Sequence, residues 1–198
     1  MKILVVSDTH GIVSKVGDIF EKHGGFDQIW HLGDYVRDQA MSESMTGAEV
    51  IGVAGNCDGA YRTADCSRVV ETECGKVFIT HGHTLSVGWD LYGIRKEAEL
   101  AGARWAFYGH THRAMEDSSG KVKIFCPGSI SAPRDGSRGT YAVINTEDGR
   151  FTCQILEYSR PAGGSDRGGS QGNASGIVKK RKQKGGFLRR TFNDSDGQ

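Results

Sequence analysis

The first apolar run of the chain ends in Val5-Val6-Ser7-Asp8-Thr9-His10-Gly11, and we expect the rest of the molecule to be organised around this stretch. The run begins at Ile3 and indicates a buried strand. Residues two apart on a strand point to the same side, so Asp8 and His10 should leave the strand end together. A carboxylate oxygen and an imidazole nitrogen placed in this way can chelate one divalent metal ion.

The same arrangement recurs four times further along the chain. Apolar runs at residues 28–32, 49–53, 76–80 and 105–108 each lead into residue types that bind metals. With the first stretch, they supply a candidate ligand set of Asp8, His10, Asp34, Asn56, His81, His110 and His112. Such a mixed nitrogen and oxygen set suits Mn²⁺, Fe²⁺, Zn²⁺, Co²⁺ or Ni²⁺, of which we favour Mn²⁺. Seven ligands are too many for one ion and fit two ions that share a carboxylate.

Composition and charge divide the chain into a domain and a tail. Residues 1–159 carry 16 Lys and Arg against 21 Asp and Glu, a net charge of −5. Residues 160–198 carry 9 against 3, a net charge of +6, and are rich in Gly and Ser. We expect the tail to be disordered, because it has too little apolar surface to offset its ordering entropy. It is interpreted either as a solvated, solubilising segment or as an anchor for nucleic acid or another acidic surface.

The cysteines and the N-terminus indicate a cytoplasmic protein. Five cysteines with no CxxC motif do not suit a secreted disulfide framework and favour free thiols in a reducing compartment. Met1 leads directly into a strand, and no apolar run approaches the roughly 18 residues that a membrane helix needs. The oligomeric state stays open.

Hydrophobic periodicity predicts an α/β protein. Helices are expected at residues 13–23, 36–46 and 89–101, and strands at 2–7, 28–32, 49–53, 68–71, 76–80, 105–108, 122–125, 140–145 and 151–157. The early alternation of strand and helix favours parallel crossovers, and the later meander suits a second sheet packed on the first. Among the aromatic residues, we assign Trp30, Trp105, Phe107 and Tyr108 to the core.

The polar motifs together resemble those of the calcineurin-like metallophosphoesterases. The matching motifs are Asp8-x-His10, Gly33-Asp34, Gly55-Asn56-x-Asp58, His81-Gly82-His83 and Gly109-His110-x-His112. Their short spacing, together with Cys57, is similar to the small YfcE-like phosphodiesterase branch of that family. The resemblance covers about residues 1–158. It implies an α/β/β/α sandwich of four layers with two mixed sheets and a dinuclear metal site at the sheet edges.

The resemblance also implies a role for each site residue. Asp8, His10 and His112 would hold the first metal ion, and Asn56, His81 and His110 the second. Asp34 would bridge the two ions. In the family, the hydroxide that bridges the metals attacks phosphorus in line. The residues expected to serve catalysis are Asp34, Asn56, Cys57, Asp58 and His83.

Cys57 departs from the broader family, most members of which have a histidine there that binds the phosphate. A thiol is a weak hydrogen-bond donor, so we expect less help for poor leaving groups. An inert packed thiol is the alternative. His83 is expected either near the substrate or in a structural hydrogen bond, and His31 in a structural role. The turn Cys126-Pro127-Gly128-Ser129 resembles a family turn near the site.

The sequence therefore predicts a two-metal phosphodiesterase that uses water as its nucleophile. Cyclic nucleotides, other nucleotide diesters and generic phosphodiesters are all suitable substrates. The alternative is a scaffold of the same fold that binds proteins without catalysis, as in the small subunit of the retromer complex. The intact ligand set favours the enzyme.

Overall fold

The computed structural model describes residues 1–59 and 65–160. Its helices are α1 (Ser14–Lys22), α2 (Val36–Thr46) and α3 (Tyr92–Leu100). Its strands are β1 (Lys2–Val6), β2 (Gln28–His31), β3 (Glu49–Gly52), β4 (Ser67–Thr72), β5 (Gly75–Thr80), β6 (Trp105–Tyr108), β7 (Ala114–Asp117), β8 (Lys123–Pro127), β9 (Thr140–Glu147) and β10 (Arg150–Glu157). The prediction of a disordered tail concerns residues that lie almost entirely outside the described ranges.

The strands form two mixed sheets of five strands each. The first has the order β10-β9-β1-β2-β3, in which β1, β2 and β3 run parallel. The second has the order β4-β5-β6-β8-β7, in which β5, β6 and β8 run parallel. Strands that run parallel end at the same edge of their sheet, so each sheet presents several strand ends together. These ends carry the polar stretches of the sequence.

Three apolar clusters fix the order of the layers. The central cluster joins the two sheets, with Trp30 from the first sheet and Phe107 from the second at a ring-centroid distance of 6.0 Å. A second cluster packs Val16 and Ile19 of α1 on the outer face of the first sheet. A third packs Ile94 of α3 on the outer face of the second sheet. The predicted α/β/β/α sandwich is confirmed.

Two elements differ from the sequence-based expectation. Helix α3 begins at Tyr92 rather than at residue 89, because the chain first makes a turn in which the Trp89 amide donates to the Ser86 carbonyl at 2.9 Å. The side chain of Trp89 is 92% exposed and takes no part in the core. Strand β7 was not predicted. It lies at the edge of its sheet with a half-exposed Ala-Met-Glu-Asp sequence, which shows no alternation of apolar and polar residues.

The remaining general expectations concern the thiols and the membrane. All five cysteines are free. Within the parts of the chain that the structure describes, none of the helices has the length and apolar character needed to span a bilayer.

Phe151→Ala tests the packing between the two sheets. The Phe151 ring stacks on Trp105 with centroids 4.1 Å apart and an angle of 17° between the planes. Because Phe151 is buried, its removal leaves a cavity and should lower the free energy of unfolding by about 3–5 kcal/mol. Urea denaturation measures this loss. Arg150→Ala, at the exposed neighbouring position, is the control and should change stability by less than about 0.5 kcal/mol. Equal stabilities for the two variants would contradict this account of the core.

Candidate metal centre

The predicted ligands lie on loops that follow five strands. Asp8 and His10 follow β1, Asp34 follows β2 and Asn56 follows β3. His81 follows β5, and His110 and His112 follow β6. The structure brings these side chains into two adjoining groups.

The first group consists of Asp8, His10, Asp34 and His112. One donor atom from each residue lies within 4.8 Å of the others. Nε2 of His10 is 3.4 Å from Nε2 of His112 and 3.8 Å from Oδ2 of Asp34. Two imidazole nitrogens and two carboxylates in this space form a donor set that suits a divalent transition metal.

The two oxygens of the buried Asp8 carboxylate have different surroundings. Its Oδ2 accepts hydrogen bonds from Ser7 Oγ at 2.6 Å and from the His110 amide at 3.1 Å. Its Oδ1 is fully buried and, among the described residues, lies 3.1 Å from Nε2 of His112. A carboxylate oxygen removed from water without a partner is unfavourable. This oxygen therefore has lone pairs available to a cation.

A hydrogen bond at its second ring nitrogen fixes the orientation of the candidate ligand His112. Its Nδ1 lies 2.7 Å from the Ala132 carbonyl, which can only accept, so Nδ1 carries the proton. In the neutral ring, Nε2 then presents a lone pair to Asp8 Oδ1 at a distance of 3.1 Å. Two acceptors this close need a positive charge between them. In the protein alone that charge is a proton, since the Asp8 carboxylate raises the pKa of His112 above its usual value.

The same interaction acts on the other partner of the pair. Burial by itself raises the pKa of Asp8, but the hydrogen bond from His112, with smaller contributions from His81 and Ser7, holds that pKa below its usual value. The carboxylate is therefore ionised at neutral pH. Metal ions commonly displace such a proton from a histidine ligand. These residues thus fit a divalent ion.

The second group consists of Asn56, His81 and His110. Oδ1 of Asn56 lies 3.1 Å from Nε2 of His81 and 2.9 Å from Nδ1 of His110. Nδ1 of His81 donates to the Leu32 carbonyl at 2.8 Å, so in the neutral ring it is the unprotonated Nε2 that faces the group. A hydrogen bond of this kind to the second ring nitrogen is a common way of fixing metal-binding histidines.

Asp34 lies between the two groups. Its Oδ2 is the atom near His10, whereas its Oδ1 lies 3.4 Å from Nε2 of His81. Oδ1 also accepts a hydrogen bond from the Cys57 amide at 2.9 Å. Asp34 is buried, with 2% of its surface exposed.

The backbone at these ligands corrects the geometry expected from the sequence. We expected Asp8 and His10 to share a direction because they alternate along a strand, but β1 ends at Val6. Both residues instead have left-handed backbones, with φ of 54° and 44°. Asp34, His110 and His112 are left-handed too, with φ between 55° and 65°. Such conformations cost about 1–3 kcal/mol each in non-glycine residues and concentrate at functional sites.

The other predicted site residues lie around the two groups. Asp58 accepts backbone amides at both oxygens, from Val36 at 2.7 Å and from Gly55 at 2.9 Å, so it joins the loops after β2 and β3. The ring of His83 lies 5.2 Å from that of His81. Burial lowers the pKa of His83, and its buried Nδ1 has no hydrogen-bond partner among the described residues.

Cys57 is exposed beside Asp34 and is accessible to a substrate. Partial desolvation, together with the negative charge of Asp34, raises the pKa of the Cys57 thiol to about 11. The thiol therefore stays protonated near neutral pH and is a poor nucleophile, because the thiolate is the reactive form.

Two serines hold the backbone at Asp8, and sequence reasoning missed one of them. Ser129 and Ser131 both donate from Oγ to the Asp8 carbonyl, at 2.9 Å and 2.7 Å. Ser129 belongs to the Cys-Pro-Gly-Ser turn, so the expectation that this turn lies near the site is confirmed. Ser131 carried no such signal, since an isolated serine in a polar loop is common.

Known proteins are similar in sequence to this chain. The profile of the calcineurin-like phosphoesterase superfamily domain matches residues 1–149. The probable metallophosphoesterase YsnB of Bacillus subtilis is 30% identical over 164 residues, covering 80% of this chain and 92% of the relative. Phosphodiesterase YfcE of Escherichia coli (strain K12) is 28% identical over 171 residues, covering 74% of this chain and 89% of the relative.

Solved structures extend the comparison to the fold. A structure of YfcE from E. coli, described as a phosphoesterase, covers 82% of this chain and 97% of its own with a TM-score of 0.61 and 22% identity. Vps29 from Entamoeba histolytica in complex with Zn²⁺ covers 78% and 91% with a TM-score of 0.64 and 16% identity, and so shares the fold. The profile match and the YsnB relative settle the family: this chain belongs to the calcineurin-like phosphoesterase superfamily, in its small YfcE-like branch, and is a metal-dependent phosphoesterase.

Proposed function

We propose that the protein is a dinuclear phosphodiesterase that hydrolyses phosphodiesters with water as the nucleophile. The first ion would be held by Asp8, His10 and His112, and the second by Asn56, His81 and His110. Asp34 would serve both ions, and Mn²⁺ is the ion we favour. The phosphodiesterase relative YfcE supports the choice of diesters over other phosphate esters.

The position of Asp34 is the observation that carries the proposal. Each of its oxygens faces a different donor group, at 3.8 Å from His10 and 3.4 Å from His81. A carboxylate that serves a single ion does not need a nitrogen donor beside each oxygen. Bound in these groups, two divalent ions would lower the pKa of water toward neutrality and offset negative charge on the phosphate.

The residues beside the two groups are suited to contact a substrate. His83 is half-buried and its ring lies 5.2 Å from that of His81, so it is placed beside the second donor group where a phosphate ester would bind. Cys57 offers only a weak S–H donor at the edge of the site. We therefore assign His83 to substrate binding, Cys57 to a weak contact with the leaving group, and Asp58 to holding the loops.

A scaffold that binds proteins without catalysis is the second candidate function. The shared fold of Vps29 is the observation behind it, and one such structure holds Zn²⁺. Metal uptake alone therefore does not separate the two functions, whereas turnover does.

Hydrolysis of bis(p-nitrophenyl) phosphate tests the proposed activity. Metal-stripped protein should be inactive, and Mn²⁺, Ni²⁺ or Mg²⁺ should restore cleavage to different extents. Asp34→Asn should lower kcat/KM by more than about 100-fold, because it weakens a ligand shared by both ions. Asp148→Asn, an exposed carboxylate in the β9–β10 turn, is the matched control and should retain full activity. Two ions taken up without turnover on any diester would favour the scaffold.

Cys57→His tests the contact with the leaving group. Imidazole is a stronger hydrogen-bond donor than a thiol, so the variant should alter the preference between phosphate diesters and monoesters. The readout is the ratio of kcat/KM for bis(p-nitrophenyl) phosphate to that for p-nitrophenyl phosphate. Cys57→Ser is the size-matched control. An unchanged ratio in Cys57→His would show that this position does not set the preference between diesters and monoesters.

Gly33→Ala tests whether His81 is held at the second ion. A Cβ at Gly33 would lie 2.7 Å from Nδ1 of His81, the atom that donates to the Leu32 carbonyl. The variant should therefore weaken one of two Mn²⁺ binding steps by about 10- to 100-fold in calorimetry. Gly24→Ala is the control, since Gly24 also has a positive φ of 70° but has open space around it. Equal Mn²⁺ affinities in the two variants would contradict this role of Gly33.

A further inference from the structure

A buried network of three polar side chains lies against the loop that follows β1 and includes none of the proposed ligands. It consists of Thr9, His31 and Asp38, all of which are 0% exposed. Thr9 stands between Asp8 and His10 in the sequence, His31 is the last residue of β2, and Asp38 lies in the first turn of α2. The three residues therefore join a loop, a strand and a helix.

Each hydrogen bond of this network donates in the same direction, from Gly33 through His31 and Thr9 to Asp38. The Gly33 amide donates to Nδ1 of His31 at 3.3 Å, so the ring proton is on Nε2. Nε2 lies 3.0 Å from Oγ1 of Thr9 and donates to it, and Oγ1 in turn donates to Oδ2 of Asp38 at 2.7 Å. The hydroxyl of Thr9 thus accepts one hydrogen bond and donates another, and it is the link between His31 and Asp38.

Asp38 holds the loop at a second point. Its Oδ2 also accepts from the Gly11 amide at 2.7 Å. The carboxylate therefore binds the loop on both sides of His10, through the side chain of Thr9 and the backbone of Gly11. His10 has a φ of 44°, a conformation that the loop would not hold without such restraint.

The arrangement is specific to one of the two donor groups. Its contacts fall on residues 9 and 11, next to the ligands of the first ion, and on Gly33. Asn56, His81 and His110 make none of the hydrogen bonds in this network. Loss of the Thr9 hydroxyl should thus move Asp8 and His10. The bond from the Gly33 amide to His31, beside the shared ligand Asp34, would remain, and the second group should stay in place.

We propose that Thr9, His31 and Asp38 are positioning residues that set the affinity of the first metal ion. This inference rests on the proposed dinuclear function. The neutral His31 ring and the Thr9 hydroxyl hold the loop so that Oδ1 of Asp8 and Nε2 of His10 face His112. The network contacts no substrate and acts only through the two ligands that it orients.

Thr9→Val and Thr9→Ser provide the test, measured by Mn²⁺ calorimetry. Valine keeps the shape of threonine and removes the hydroxyl, so the first binding step should weaken by about 10- to 100-fold, as expected for a lost outer-sphere partner. Serine keeps the hydroxyl and should bind Mn²⁺ like the wild type. His81→Ala removes a ligand of the second ion, so the Mn²⁺ binding step that remains in this variant belongs to the first ion. Adding Thr9→Val to His81→Ala should weaken that remaining step.

Two further readouts separate positioning from a general loss of structure. In activity assays, the Mn²⁺ concentration for half-maximal rate should rise in Thr9→Val, while kcat at saturating Mn²⁺ stays close to wild type. Thr146→Val is the matched control, because Thr146 is a buried threonine whose hydroxyl donates to the Met1 carbonyl, remote in sequence from the ligands. Thr146→Val should change the free energy of unfolding and leave the affinities of both Mn²⁺ binding steps unchanged.

The outcomes distinguish this inference from the proposed function. Two binding steps in the wild type, with both unchanged or both equally weakened in Thr9→Val, would overturn the positioning role and leave the dinuclear function intact. A wild-type protein that takes up fewer than two ions would overturn both. Selective weakening of the first step, with recovery in Thr9→Ser, supports the positioning role.

Discussion

The buried charge of Asp8 is the constraint on which the rest of the site depends. The carboxylate is buried and ionised, its Oδ2 accepts hydrogen bonds from Ser7 and the His110 amide, and its Oδ1 faces Nε2 of His112. A buried negative charge is stable only beside a positive charge. His112 supplies that charge as a proton when the metal is absent, and the surrounding loops are arranged so that a metal ion can take its place.

The two sheets provide the rigidity that such a site requires. Parallel β1, β2 and β3 end beside one another in the first sheet, and parallel β5 and β6 do so in the second. The packed core between the sheets fixes the distance between these two sets of strand ends. The strained, left-handed backbones at the ligands are then held by contacts from several loops at once, which is why no single loop could form the site alone.

Much of the fold and of the candidate ligand set was predictable from the sequence, because the motifs that indicate them lie within short stretches. Each ligand follows an apolar run directly, so the strands and the residues at their ends could be identified together. What could not be predicted depends on contacts between distant parts of the chain. Ser131 reaches the Asp8 carbonyl across 123 residues, and His31 and Asp38 meet Thr9 only after the sheet and α2 have formed. The left-handed backbones were missed because strand alternation applies only inside a strand, and these residues lie beyond the strand ends.

The orientation of the histidines bears on the choice between an enzyme and a scaffold. His81 and His112 each give their Nδ1 proton to a backbone carbonyl and direct Nε2 inward, and both carbonyls belong to loops that the fold already requires. A protein-binding surface gains nothing from imidazole nitrogens and carboxylate oxygens that are gathered in a buried pocket. These donors suit a bound cation, and without a metal ion the Asp8 carboxylate depends on its hydrogen bond with His112. Because Asp34 also directs one oxygen to each donor group, the cluster suits metal-dependent chemistry on a phosphate ester better than a protein-binding surface.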